Sequence, residues 1–421
     1  MNKDLTHYKE LTDQLFRVEY GAIVSVIGRF LGLSNIHHAE DIAQETFYKA
    51  VTYWQHNGIP ENPKAWLYKV AKNKCINLLK RKNLETKASK NMKHNAMLHD
   101  TDDTLSFSEN SIKDDQLRLM YACCHKTISP KSQIALILKI LCGFSISEIA
   151  KAFFSSSETI NKRLTRARKK LKSHSFSTSN ISIIEKDTSI VLKTIYLIFN
   201  EGYSPTTKDL VIRKDLCFQA IRLGELIIDN EKVTDKNNCH ALLSLMYLNI
   251  SRFEARNKGS EDLVEMKNQD RSQWNQDLIK MGLGHLDKTF KSDRVSKYHL
   301  LAAISANHCI ATEYSSTDWT EILSLYDSLI VIDNSPLVRL NRSVAIAYAQ
   351  NSHRAIEELK LLEEETDIEN HHLFHSTIAE FYSNEKKYDL AIRHLNLAIN
   401  KADNNRDVNV LRKKIRNIVP N

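Results

Sequence analysis

The sequence predicts an all-α protein of more than one domain, and three observations carry that expectation. Gly (10) and Pro (6) are scarce among 421 residues, while Leu, Ile, Ala, Lys and Glu recur at helical spacing, a composition that favours long helices with short connections over a turn-rich β architecture. The length suffices for two or three domains, each with its own core. The seven Cys are odd in number and scattered through helical patterns (Cys75, Cys142, Cys217, Cys239, Cys309), which argues against a disulfide framework and reads as reduced core thiols.

Taken in order, apolar residues fall at helical intervals from about Leu11 to Arg81, broken by "QHNGIPENP" (Gln55 to Pro63), whose Gly and two Pro enforce a loop. This first unit is assigned residues 1–82. Residues 83–113 begin with a polar stretch that lacks periodicity and changes from basic to acidic, the pattern of a flexible linker. A helical pattern returns at Asp114 and defines a second unit, 114–174, followed by the Ser-rich "SHSFSTSN". From Ile181 to the C-terminus the chain reads as helix after helix. Within it, Ala379, Tyr382, Tyr388, Ala391, Leu395 and Ala398 match the small and aromatic positions of one tetratricopeptide hairpin. A second hairpin over Ser335 to Leu362 would pack closely at Ala345, Ala347 and Ala355.

Charge is unevenly placed. Residues 1–172 hold 28 Lys and Arg against 17 Asp and Glu, whereas the remainder holds 31 against 34, so the whole basic excess lies in the first two fifths. A polyanion-binding front end joined to a near-neutral body follows from that asymmetry. No run of about 18 uncharged apolar residues exists, and charges occupy the start "MNKDLTHYKELTDQLF" where a signal peptide needs an apolar segment. The expectation is a soluble, cytoplasmic protein without a membrane partner.

The front end carries two capping boxes of the form S-x-x-E, Ser145 with Glu148 and Ser155 with Glu158, which start two short helices about ten residues apart, as a helix-turn-helix requires. In "SETINKRLTRARKKLK" (Ser157 to Lys172), Ile160, Leu164, Ala167 and Leu171 form one apolar stripe and the seven Lys and Arg occupy the other faces. A charged helix in isolation is usually just a solvated face. Here a capped helix precedes it and balancing acids are nearly absent, which favours DNA. A recognition helix sets its N-terminal residues on base edges, nominating Thr159, Lys162, Arg163 and Arg166, while Arg168, Lys169 and Lys170 are placed against phosphates.

"AEDIAQETFYKAVTYW" (Ala39 to Trp54) with "NPKAWLYKVAKNKCINLLKRK" (Asn62 to Lys82) resembles region 2 of bacterial sigma factors of the extracytoplasmic-function group, and the stretch from Met120 to Leu171 resembles their region 4. Further on, "YLIFNEGYSPT", "LCFQAIRLGELI", "QDRSQWNQDLI" and "LNRSVAIA" are similar to the subgroup with a tetratricopeptide-like C-terminal extension. The resemblance implies a region 2 helical domain, a linker, a region 4 helix-turn-helix domain and a helical-repeat extension, and a promoter-directing factor that is no enzyme and needs no cofactor. Asp41, Gln44 and Glu45 lie at i, i+3 and i+4 on one helix face. The resemblance implies that this face docks on the clamp helices of the polymerase largest subunit, with the flap region a further contact. The following helix combines aromatics, which unpaired bases stack on, with cations that follow a backbone. By resemblance, Trp66, Tyr68, Lys69, Lys72, Asn73, Lys80 and Arg81 meet the minus-10 element and region 4 reads the minus-35 element. Trp66 has a second reading as core. Asn77 departs from the family, which has Asp there.

Several lesser signals have plainer readings. "CCHKTISP" and the pairs His37, His38 and His371, His372 lack a second ligand pair at zinc spacing, so no metal is assigned. Gly202 and Pro205 in "NEGYSP" mark a corner, with Gly202 fitting a helix C-terminal cap. The rival function from another class is a helix-turn-helix regulator that does not join polymerase and whose repeats sense a partner. In the sigma reading the extension receives a regulatory protein or acts on the factor itself.

Overall fold

A computed structural model of the chain describes residues 2–89, 107–153, 155–173, 188–203, 213–233, 235–258, 262–289, 294–402 and 405–418. The described residues are helical apart from turns, 3-10 segments and one two-residue antiparallel ladder, in which Asn257 pairs with Leu263 and Lys258 with Asp262. The all-α expectation holds. Two compact units account for the chain, one of residues 1–198 with 225–234, the other of residues 199–224 with 235–421.

In the first unit α1 (Asn2–Leu31) packs against α2 (Ile36–Asn57) and α3 (Pro63–Ser89) around buried Tyr20, Ile23, Ile27, Phe47, Trp54 and Leu67. The expected loop after α2 is short and built on two devices. Gly58 adopts φ +79°, and Asn62 caps α3 by accepting the Ala65 amide at 2.9 Å. α3 runs to Ser89 and α4 (Glu109–Cys123) begins before Asp114, so helix occupies both ends of the expected linker 83–113. Residues 90–106 lie outside the described residues.

α4, α5 (Pro130–Ile140), α6 (Ile146–Ala152) and α7 (Ser157–Ser173) form the helix-turn-helix part. Pro130 at the first turn starts α5, and buried Gln133 ties the preceding turn by donating to the carbonyls of Cys124, His125 and Ile128 at 3.3, 3.1 and 2.9 Å. The Ser145–Glu148 capping box is present in full at α6. The second expected box is displaced by one residue. Ser156, not Ser155, caps α7, accepting the Thr159 amide at 3.1 Å, because the Ser155 amide closes the preceding helix onto the Ala150 carbonyl at 3.0 Å. Glu158 instead pairs with Lys162 one turn on, at 2.6 Å.

Close approaches bind this part to α1 and α2 inside the same unit. A Cβ on Gly21 would lie 2.2 Å from the Leu141 carbonyl oxygen, and Gly143, at φ +72°, sits under Phe16 and Tyr20. Arg29 pairs with buried Asp115 at 2.9 Å. Near the end of the unit, the Thr194 hydroxyl donates to the Gln133 side chain at 3.4 Å, and the Asn230 amide and Lys232 ammonium both reach Asp114.

The second unit stacks helices in sequence order. After the remainder of α8 (Ser189–Tyr203) and α9 (Lys214–Ile228) come α10 (Asn237–Ile250), short α11 (Phe253–Arg256), α12 (Gln276–Asp287), α13 (Lys297–Ile310) and α14 (Trp319–Ile332). They are followed by α15 (Pro336–Ala349), α16 (Ser352–Glu365), α17 (His372–Asn384), α18 (Tyr388–Lys401) and α19 (Asn405–Ile418). α13 packs mainly on α10, and from α14 onward each helix packs mainly on a neighbour in sequence. Gly202 is not a C-terminal cap: it lies inside α8 without positive φ, and a Cβ there would meet Cys217 Sγ at 2.8 Å and the Arg213 carbonyl oxygen at 2.9 Å. Its role is close helix approach; Pro205 lies outside the described residues. Ala379, Ala391, Leu395 and Ala398 are buried at the α17–α18 contact, as are Ala345 and Ala355 between α15 and α16, whereas Tyr388 is exposed. The chain turns between α17 and α18 through Lys386 at φ +60°.

Candidate polymerase and DNA interfaces

The helical period of α2 separates two faces cleanly. Ile42, Ala43, Thr46, Phe47 and Ala50 are buried, and Asp41, Gln44 and Glu45 are exposed. Thr46 satisfies its hydroxyl on the Ile42 carbonyl at 2.7 Å, so its burial leaves no polar group unmatched. Glu45 accepts from Lys74 of α3 at 2.5 Å. Sequence reasoning passed over Tyr48, which is 74% exposed and stands four residues beyond Gln44 on the same face, with Val51 and Tyr53 also exposed nearby. The i+4 spacing was the signal that would have found Tyr48.

On α3 the expected minus-10 residues divide. Lys69, Asn73, Lys80 and Arg81 are exposed and Lys72 is half-buried. Trp66 is half-buried between the two readings given to it: its ring stacks on Tyr53 at 5.6 Å and lies 5.4 Å from Trp54, which is the fully buried core tryptophan. Tyr68 does not offer its ring. It is buried, stacks on Phe107 at 4.6 Å and donates its hydroxyl to buried Glu19, because this side of α3 faces α1. Burial, then the Glu19 hydrogen bond and charge, raise the Tyr68 phenol above the usual tyrosine range.

The apolar stripe of α7 is realised: Ile160, Leu164, Ala167 and Leu171 are all buried. Thr159, Lys162 and Arg166 are exposed near its N-terminal half, Arg163 is half-buried, and Lys169 is exposed further on. Thr159, Lys162, Arg163, Arg166 and Lys170 share a concavity of about 370 Å³ with Ser129 and Ser132 at the start of α5. Four cations around a hydroxyl-lined hollow suit a polyanion, with hydrogen-bond donors enough for base edges as well as phosphates. Lys170 also donates to the Thr127 carbonyl at 2.6 Å, which fixes its stem beside that hollow.

Arg168 is placed otherwise. Its guanidinium donates through Nη2 to both carboxylate oxygens of Glu40, at 2.8 and 2.6 Å, and Glu40 is buried on α2 one residue before Asp41. Burial raises the Glu40 carboxyl, opposed by the charges of Arg168 and Lys139. Lys139 is lowered by burial, opposed by Glu40 and reinforced by Arg168. In this conformation Arg168 neutralises a buried acid rather than a phosphate. The sequence had no means of pairing positions 128 apart.

The six most N-terminal cysteines are buried free thiols, and burial raises several of them, Cys75 to about 11 and Cys124 and Cys217 to about 12. No described helix is long and apolar enough to cross a membrane.

Comparison with known proteins gives these interfaces their context. Residues 15–85 match the family described as Sigma-70 region 2 and residues 118–171 that described as Sigma-70, region 4. Residues 188–290 match a family of unknown function, DUF6596. The chain is 33% identical over 329 residues to an uncharacterized protein, R00370, of Rhizobium meliloti (strain 1021), covering 76% of each. No solved structure matches. Regions 2 and 4 are parts of a transcription initiation factor, not of an enzyme. With both regions in order and a helical C-terminal part behind them, the chain belongs to the sigma-70 family.

Proposed function

We propose that the protein is a sigma factor of the extracytoplasmic-function kind, which joins core RNA polymerase through the Asp41–Gln44–Glu45 face of α2 and directs it to a two-element promoter. The observation that carries this reading is the coexistence, in one chain, of that exposed polar face and of the cation-lined hollow at the start of α7. Thr159, Lys162, Arg163 and Arg166 take the minus-35 bases and Lys169 and Lys170 its phosphates. Lys69, Lys72, Asn73, Lys80 and Arg81, with the accessible edge of Trp66, take the minus-10 strand. Arg168 joins the phosphate contacts only when its pair with Glu40 opens. Run-off transcription with purified core polymerase tests the assignment. Asp41→Lys with Glu45→Lys is expected to abolish polymerase binding and run-off while leaving minus-35 duplex binding intact. Undiminished polymerase binding would instead favour a regulator that works without polymerase.

The C-terminal helices form a tetratricopeptide-like module that receives a regulatory protein. Its support is the hairpin stacking of α15 to α18 and the exposed apolar side chains Leu361, Leu373, Tyr388 and Leu390. Tyr388→Asp with Leu390→Asp leaves the buried hairpin contacts in place; unaltered promoter output and control in cells would refute the regulatory role.

A further inference from the structure

Arg252 follows α10 and is only 7% exposed. Its Nη2 donates to the Tyr203 hydroxyl at 2.8 Å and to Asn249 Oδ1 at 2.7 Å, and the guanidinium lies 5.7 Å from the centre of the Trp274 ring. All three partners are neutral. Among the described residues no carboxylate stands within ion-pair distance of Arg252, and its buried Nε has no acceptor. Both hydrogen bonds therefore fall on Nη2, and the Nε–H is left without an acceptor. A buried charge is ordinarily paired, and an arginine fork is matched best by a carboxylate.

The surroundings add to the positive charge. One turn on, the Arg256 guanidinium stacks 4.0 Å from the Tyr203 ring centre and donates to the Tyr203 carbonyl at 2.9 Å. Burial first, and then the Arg252 charge, hold Arg256 below the usual arginine value against the pull of Tyr203. Both arginines line a cavity of about 350 Å³ together with Tyr203, Gln269, Ser376 and Leu411. Gln269 donates to the Val264 carbonyl at 2.9 Å, but its Oε1 is buried without a donor. The two acids on the cavity wall have partners of their own: Glu265 holds Lys414 at 2.6 Å, and Asp407 faces His372 at 3.4 Å.

From this geometry we infer that the cavity is a binding site for a small organic carboxylate that also carries an O–H or N–H donor. The carboxylate pairs with the Arg252 guanidinium, the donor satisfies Gln269, and the carbon skeleton lies against Leu411 and the Tyr203 ring. The volume falls in the range of small-molecule sites. The inference stands apart from the sigma reading, since it uses none of the polymerase- or DNA-facing residues.

Isothermal titration of the full-length protein tests it, with 4-hydroxyphenylacetate, 3-hydroxybutyrate and serine as probes, 4-hydroxyphenethyl alcohol as the uncharged counterpart, and inorganic phosphate. At least one carboxylate is expected to bind one per chain, with the alcohol and phosphate weaker by about tenfold or more. Arg252→Met is expected to lose binding. Because that change also removes the Tyr203 and Asn249 contacts, Ser376→Glu is the second variant; it keeps Arg252 and is expected to lose binding with an unaltered melting midpoint. Absence of binding by every carboxylate, equal binding of the alcohol or of phosphate, or undiminished binding by Ser376→Glu would overturn the inference.

Discussion

Replacing Arg168 by Met tests whether α7 is held by a buried acid. Glu40 has 5% of its side chain exposed and Arg168 28%, with both carboxylate oxygens bonded to one guanidinium nitrogen. Removing one partner of a buried pair costs about 3–5 kcal/mol, because the remaining charge is stranded. With Arg168 partly open to solvent and Lys139 near Glu40, a cost just below that range, about 2–3 kcal/mol, is expected. The pH dependence follows from sign. The folded-state value of Glu40 is already raised by burial, so its ionisation opposes folding, and the opposition is absent below the unfolded value and complete above the folded one. Without Arg168 the folded value rises further. The deficit of the variant should therefore be largest at pH 8 and should shrink as the pH falls and Glu40 takes up its proton. Denaturant unfolding of the full chain, with hydrogen exchange of α2 and α7, measures it, and Glu40→Leu with Arg168→Met should recover much of the loss. A deficit under about 1 kcal/mol, or one independent of pH, would refute the reasoning, since an exposed pair contributes no more than that.

Four further outcomes are expected. Lys169→Ala should lower the salt slope of promoter binding by about 0.9, the contribution of one phosphate, whereas Arg168→Met should leave the slope unchanged if its pair with Glu40 persists in the complex; filter binding across salt concentrations separates the two. Gly21→Ala should destabilise by about 2 kcal/mol or more, measured by thermal melting, because its Cβ would meet the Leu141 carbonyl at 2.2 Å and backbone must move. Lys386→Gly should stabilise by about 1 kcal/mol in denaturant unfolding by relieving a left-handed φ of +60°. Burial pushes Asp115 up to about 6 against the pull of Arg29 and Arg118, so stability that is full near pH 4 should fall as the pH rises through 6; Asp115→Asn should flatten that slope in pH-dependent melting.

What sequence alone determined is what local chemistry determines. The stripe Ile160–Leu164–Ala167–Leu171, the buried and exposed faces of α2, the Ser145 cap and the small residues between paired helices all follow from a 3.6-residue period and from partners within four residues. Local signals also erred where two local solutions competed, as at Ser155 and Ser156, whose amides and hydroxyls lie one residue apart and differ only in which helix end each serves. Tertiary structure decided the rest. Tyr68 and Arg168 read as nucleic-acid contacts by type and spacing, yet buried Glu19 and Glu40, far away in sequence, claim them. Gly202 reads as a cap and serves instead to let α8 meet Cys217. The acid-free setting of Arg252 was invisible for the same reason: burial, and the lack of an acid to answer it, are properties of the folded neighbourhood, where desolvation sets how much an unmatched charge costs.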